Sequence, residues 1–242
     1  MKQPIMTHLV CGYPNIEESQ KLINVLNKYS TFIEVQIPFS DPIADGPIIT
    51  DANEKALENG ITPSKCFEFL EKNTKNNDTN ILIMTYYNIV YNYGVEKFIK
   101  KSKQIGIYGF IIPDMPYDEK EGQELINLCK KYDINLIQVV SPTCEEKRLK
   151  ELFSISNGFV YAVSKNMTTG NKIDTGNDFE NYIKKLKNIK NIQIGVGFGV
   201  KTKKDIENVC KVADFAIMGS ELIRILNKNG VQGVENFFNN TN

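Results

Sequence analysis

Eight short, almost uninterrupted apolar runs recur along the 242 residues, at 5–10, 32–37, 81–85, 109–112, 136–140, 159–163, 192–196 and 215–218. Runs that are apolar throughout, rather than alternating, suit parallel strands covered on both faces. Their spacing of roughly 30 residues matches a strand, a crossover helix and a return to the same sheet. Eight such units with no Gly-x-Gly-x-x-Gly fingerprint favour a closed (β/α)8 TIM barrel over an open doubly wound sheet. No linker rich in Pro or Ser divides the chain, so residues 1–242 read as one domain.

The intervening stretches carry helix signals. Asn15 with Glu18 three residues later reads as a capping box opening a helix over 16–28. Thr62-Pro63-Ser64 opens one over 65–75, apolar 3–4 spacing marks 95–104 and 119–131, and Thr202 precedes 203–211. The second unit carries two helices, 49–59 and 65–75, which is one more than the repeat requires.

Charge and residue counts narrow the chemistry. Lys plus Arg and Asp plus Glu both number 29, so nothing marks a surface for nucleic acid or anionic lipid. No apolar run approaches the ~20 residues of a membrane span, and no signal-peptide core follows Met1, so a cytoplasmic protein is expected. A single histidine, His8, excludes multi-histidine metal sites. The cysteines Cys11, Cys66, Cys129, Cys144 and Cys210 are scattered and read as reduced thiols. Catalysis must therefore draw on carboxylates, Lys, Tyr or backbone groups.

In a barrel of this kind the active site lies at the C-terminal ends of the strands. The second run reads Phe32-Ile33-Glu34-Val35-Gln36-Ile37. Alternation puts Glu34 and Gln36 on one face and the aliphatic residues on the other, so the aliphatic set packs on helices and Glu34 points into the barrel. A carboxyl held there can donate and accept a proton near neutral pH. The run enters Pro38-Phe39-Ser40-Asp41-Pro42-Ile43-Ala44-Asp45-Gly46-Pro47, a shaped loop that holds two acids over the strand end. Two glycine turns, Gly195-Val196-Gly197-Phe198-Gly199 and Met218-Gly219-Ser220, follow the seventh and eighth strands and predict a backbone phosphate site at a helix N-terminus. The long polar stretch Ser164-Lys165-Asn166-Met167-Thr168-Thr169-Gly170-Asn171-Lys172 reads as a lid.

Taken together, these segments resemble the tryptophan synthase α-subunit family over nearly the whole chain. The most specific stretch is Glu34 to Pro47. It is supported by Gly12-Tyr13-Pro14, Tyr86-Tyr87-Asn88 with Asn92 and Gly94, Pro113-Asp114-Met115-Pro116, Thr169-Gly170, Gly197-Phe198-Gly199 and Gly219-Ser220. The resemblance implies retro-aldol cleavage of indole-3-glycerol phosphate to indole and glyceraldehyde 3-phosphate, with no cofactor or metal on this chain. It implies Glu34 as proton shuttle and Asp45 as partner of the indole nitrogen. Tyr86 and Phe198 would line the indole pocket, Tyr161 would bind the substrate near Glu34, and Thr169, Gly170, Gly199, Gly219 and Ser220 would bind the substrate, the glycines and Ser220 through backbone N–H groups to phosphate.

The resemblance also implies a β subunit that carries pyridoxal phosphate and receives indole in an αββα heterotetramer, docked on Pro38, Asp41 and the stretch from Asn88 to Asn92. The chain departs from the family in three places: Gln36 stands where a glycine is usual, Met167 replaces a lid glycine, and the N-terminus is shortened ahead of the first strand. The Gln36 amide is expected to donate to Glu34, its neighbour on the same face. Two further functions stay open on the sequence: a weakly active scaffold that mainly activates a β subunit, and a standalone lyase that releases indole.

Overall fold

The computed structural model describes residues 2–75, 78–163, 177–197 and 199–239. Its strands are β1 (Gln3–Val10), β2 (Ser30–Gln36), β3 (Asn80–Met84), β4 (Gly109–Ile111), β5 (Asn135–Val140), β6 (Phe159–Val163), β7 (Gln193–Gly197) and β8 (Phe215–Met218). They pair in parallel in sequence order and close into a barrel, with Ile5, Met6 and Thr7 of β1 opposite Ala216, Ile217 and Met218 of β8. The predicted (β/α)8 barrel is therefore the fold, and every strand boundary falls within two residues of its apolar run.

The helices are α1 (Ile16–Tyr29), α2 (Pro47–Glu58), α3 (Pro63–Thr74), α4 (Tyr87–Tyr93), α5 (Val95–Gln104), α6 (Lys120–Tyr132), α7 (Glu146–Ile155), α8 (Asn177–Lys187), α9 (Lys203–Cys210) and α10 (Ser220–Asn239), the last kinked at Gly230. The extra helix after β2 is present as α2 ahead of α3. A second extra helix, α4, was not foreseen. Its sequence YNIVYNY offers no side-chain cap, and burial of Ile89 and Val90 holds it in place. Among the described residues, no helix is long and apolar enough to cross a membrane.

The predicted capping box on α1 is half formed. Asn15 accepts from the Glu18 backbone N–H at 2.8 Å, but the Glu18 carboxylate pairs with Lys21 at 2.7 Å. The reciprocal box stands on α9, where Thr202 accepts from Asp205 N–H and the Asp205 carboxylate accepts from the Thr202 N–H. Thr202→Ala should lower unfolding stability by about 1 kcal/mol, read as a shifted urea midpoint at unchanged slope.

Two apolar layers follow from strand alternation. Ile33, Val35 and Ile37 join the shell between sheet and helices, while Met6, Phe32, Leu82, Phe159, Phe215 and Ile217 fill the barrel interior. The rings of Phe32, Phe159 and Phe215 meet with centroids 5.0–5.1 Å apart. One step of two residues along β2 and β6 from this floor stand Glu34 and Tyr161. The aromatic floor closes the barrel below them, so polar chemistry is confined to the C-terminal mouth.

Candidate active site

Glu34 reaches the barrel interior as alternation requires, and only 4% of it is exposed. Register decides its neighbour: His8 on β1 is paired with Glu34 on β2, and both side chains face inward. His8 Nδ1 and Glu34 Oε2 lie 3.0 Å apart. Burial opposes a charge on the imidazole, but the Glu34 carboxylate and its hydrogen bond, followed by Asp45 and the Gln36 amide, lift the ring above its usual range.

The loop after β2 is fixed rather than free. Asp45 N–H donates to the Pro42 carbonyl at 2.9 Å, and Phe39 N–H donates to the side chain of the buried Asn53 at 3.0 Å. Pro47 then opens α2 with its fixed φ. This geometry turns the Asp45 carboxylate back over the barrel, where Oδ2 accepts from Gln36 Nε2 at 2.7 Å and from the Tyr86 hydroxyl at 3.0 Å. Burial pushes the Asp45 carboxyl up, while the Gln36 bond, the charge of His8 and the Tyr86 bond pull it back.

One expectation is corrected here. Gln36 does not donate to Glu34: His8 already occupies that side of the carboxylate, and Gln36, one step nearer the mouth, meets the loop instead. Tyr86 is fully buried, stacks on Phe39 and donates its hydroxyl hydrogen to Asp45.

The cavity itself measures about 130 Å³ and is lined by His8, Glu34, Ala44, Asp45, Ile49, Met84, Ile111, Pro113, Val139, Tyr161, Val163 and Gly219. That is close to the ~150 Å³ of an apolar cavity that takes a benzene ring. Its deep part therefore suits a flat aromatic ring, with acids on one side and aliphatic walls on the other. Tyr161 is seated over Gly197, where any Cβ would come within 2.6 Å of the tyrosine ring. Burial raises the Tyr161 hydroxyl far above its usual value, with the charges of Glu34 and Asp45 adding to the effect.

At the rim, Gly219 precedes Ser220, the first residue of α10, and Gly199 has a left-handed φ of 62° in the β7–α9 turn. Among the described residues no Lys or Arg lines this cavity. Thr169, Gly170 and Phe198, with the stretch from Ser164 to Lys172 that includes Met167, lie outside the described residues. A larger groove of about 670 Å³ between α7 and α8 holds no such constellation: Lys150 pairs with Glu146, and Lys190 donates to the Phe153 and Ser156 carbonyls.

On the outer face of the mouth Asp41, Asn88 and Asn92 are exposed, whereas Pro38 is buried under its loop and does not present itself there. Ile43 and Tyr91, 73% and 62% exposed, are the large apolar side chains on this face. His8 was the functional neighbour that sequence reasoning passed over. The alternation that aims Glu34 inward also aims Met6 and His8 inward, and a lone imidazole in an apolar strand was the available signal.

Comparison with known proteins agrees with this geometry. The family model described as tryptophan synthase alpha chain matches residues 1–241. The tryptophan synthase alpha chain of Desulfotalea psychrophila is 36% identical over 234 residues, covering 96% of this chain and 91% of its own. That of Methanocaldococcus jannaschii is 40% identical over 220 residues, covering 90% and 78%. Among solved structures, the tryptophan synthase A-subunit of Pyrococcus furiosus superposes with a TM-score of 0.87 at 28% identity, covering 98% of this chain and 96% of that one. A Mycobacterium tuberculosis tryptophan synthase superposes with a TM-score of 0.90 at 28% identity, covering 98% and 90%. A family pattern that runs from residue 1 to residue 241, on a closed barrel with its acids at the mouth, means that this chain belongs to the tryptophan synthase alpha chain family.

Proposed function

We propose that this chain is a carbon–carbon lyase that cleaves indole-3-glycerol phosphate to indole and glyceraldehyde 3-phosphate. The observation that carries the reading is the pairing, in one small cavity, of buried Glu34 and loop Asp45 with the Gly219 turn at its rim. Glu34 delivers a proton to indole C3, which places positive charge on the ring nitrogen. The Asp45 carboxylate, held by Gln36 and Tyr86, stabilises that charge through the indole N–H. Loss of the proton from the glycerol hydroxyl next to the ring then forms the aldehyde. The electron pair of the breaking carbon–carbon bond returns to the ring and restores indole, and Glu34 recovers its proton.

The phosphate is held by backbone N–H groups of Gly199, Gly219 and Ser220 at the N-terminus of α10, Gly170 gives a further backbone N–H, and Thr169 binds the substrate. Phe198 and Tyr161 complete the indole pocket. The chain needs no cofactor of its own for this chemistry. A β subunit that carries pyridoxal phosphate takes the indole, in an αββα assembly, and docks against Asp41, Asn88 and Asn92, with Ile43 and Tyr91 as apolar contacts exposed beside them.

The test is release of indole from indole-3-glycerol phosphate by the purified chain, with and without added β subunit. Cleavage by the chain alone that accelerates with β subunit is the expected result. Cleavage that ignores the β subunit would make it a standalone lyase, β-subunit activation without cleavage would make it a scaffold, and neither effect would end the proposal. Asp45→Asn keeps the hydrogen-bonding shape but removes the charge, so kcat/KM should fall by about ten- to a hundredfold, less than for a change at Glu34.

A further inference from the structure

Of two buried residues of the site, His8 has no part in the chemistry just described and Gln36 only holds Asp45. His8 Nδ1 faces Glu34 Oε2 at 3.0 Å, and Gln36 Nε2 donates to Asp45 Oδ2 at 2.7 Å. The remaining polar atom of each, His8 Nε2 and Gln36 Oε1, is sealed from solvent and has no hydrogen-bond partner. With Nδ1 turned to Glu34, Nε2 is the ring nitrogen left to donate, and Gln36 Oε1 is an oxygen that only accepts. Buried polar atoms are normally satisfied, so a donor and an acceptor left over in one site mark a bond that these two residues can make.

We propose that His8 is a positioning residue for Glu34 that shares its mobile proton, and that Gln36 ties this pair to Asp45. The inference rests on the reading of Glu34 as the proton shuttle. With one mobile proton, the pair is either a carboxylic acid facing a neutral ring or a carboxylate facing an imidazolium. Passing between them breaks Glu34 Oε2–H and forms His8 Nδ1–H, with no change in total charge. In both forms Nε2 carries a hydrogen that Gln36 Oε1 can accept. Once Glu34 has given its proton to the substrate carbon, its carboxylate faces the bare lone pair of Nδ1. That repulsion makes it a stronger base for the hydroxyl proton that follows.

The surroundings fit this role. The ionisable groups that face His8 are Glu34 from β2 and Asp45 from the loop, with Tyr161 of β6 and the Gly219 turn lining the same cavity. Among the described lining residues there is no Lys or Arg to displace the imidazolium from the carboxylates. The ring is held above its usual range despite burial, first because of the Glu34 charge.

The sequence contains one histidine, so its imidazole ¹⁵N signals need no assignment. Followed across pH in the intact chain, they should show a midpoint above the ordinary ~6.5. Glu34→Gln should lower that midpoint by about one pH unit or more, and Gln36→Leu should lower it by a smaller amount. A midpoint that stays within about 0.3 unit of wild type in Glu34→Gln would overturn the proton sharing, and one unmoved in Gln36→Leu would overturn the link to Asp45. These readings do not depend on turnover, so their failure is distinct from failure of the lyase assignment.

His8→Gln provides the second arm, because its amide can hold Glu34 but cannot carry a proton. Both His8→Gln and His8→Phe should move the alkaline limb of the kcat/KM profile to lower pH by about one unit, since the protonated pair then loses its second site. Full rescue of rate and limb by His8→Gln would reduce His8 to a spacer and overturn the proposal.

Discussion

Glu34→Gln should lower turnover of indole-3-glycerol phosphate by about 10³-fold or more while the barrel stays folded. A positioned acid or base contributes ~10²–10⁴-fold, and a group that gives a proton in one step and takes one in the next sits at the upper end. The amide matches the carboxylate in shape and can still face His8 Nδ1, so the packing of β1 on β2 is kept. What is lost is the proton itself. The measurement is steady-state kcat beside the thermal midpoint of the same preparation. A variant that keeps more than about a tenth of wild-type activity would remove Glu34 from the mechanism, because no general acid of ordinary strength contributes so little.

The second large effect is expected at Gly219. A Cβ built there would meet His8 Cβ at 3.7 Å and Ile49 Cδ1 at 3.8 Å, both ordinary van der Waals contacts. The protein itself therefore has room for a side chain at this turn. Gly219→Val should leave stability almost unchanged while its branches fill the approach to the α10 N-terminus. If one hydrogen bond to a charged ligand is lost there, at ~1.5–3 kcal/mol, KM should rise by about ten- to a hundredfold with a smaller change in kcat. Removal of Lys165 or Lys172 should matter far less. Equal damage from either lysine would show that the phosphate is held by side chains and not by backbone.

How far the sequence reached can be judged at particular residues. The eight apolar runs were enough for the barrel, because strands covered on both faces leave that mark directly in composition. Period-two alternation was enough to aim Glu34 inward, since the side-chain direction along one strand needs no knowledge of its neighbours. The same rule applied to β1 would have aimed His8 inward, but it could not have paired the two.

That pairing spans 26 residues and depends on the β1–β2 register, which the closure of the barrel sets. The loop residues escaped for a related reason. Whether Gln36 meets Glu34 or Asp45, which acid the Tyr86 hydroxyl holds, and whether Pro38 is outside or covered are all lateral relations. Local pattern carries information along the chain; which groups meet one carboxylate is decided across it, by which side chains the strand register and the loop bring within hydrogen-bonding distance. His8 reached Glu34, and Gln36 was left to Asp45.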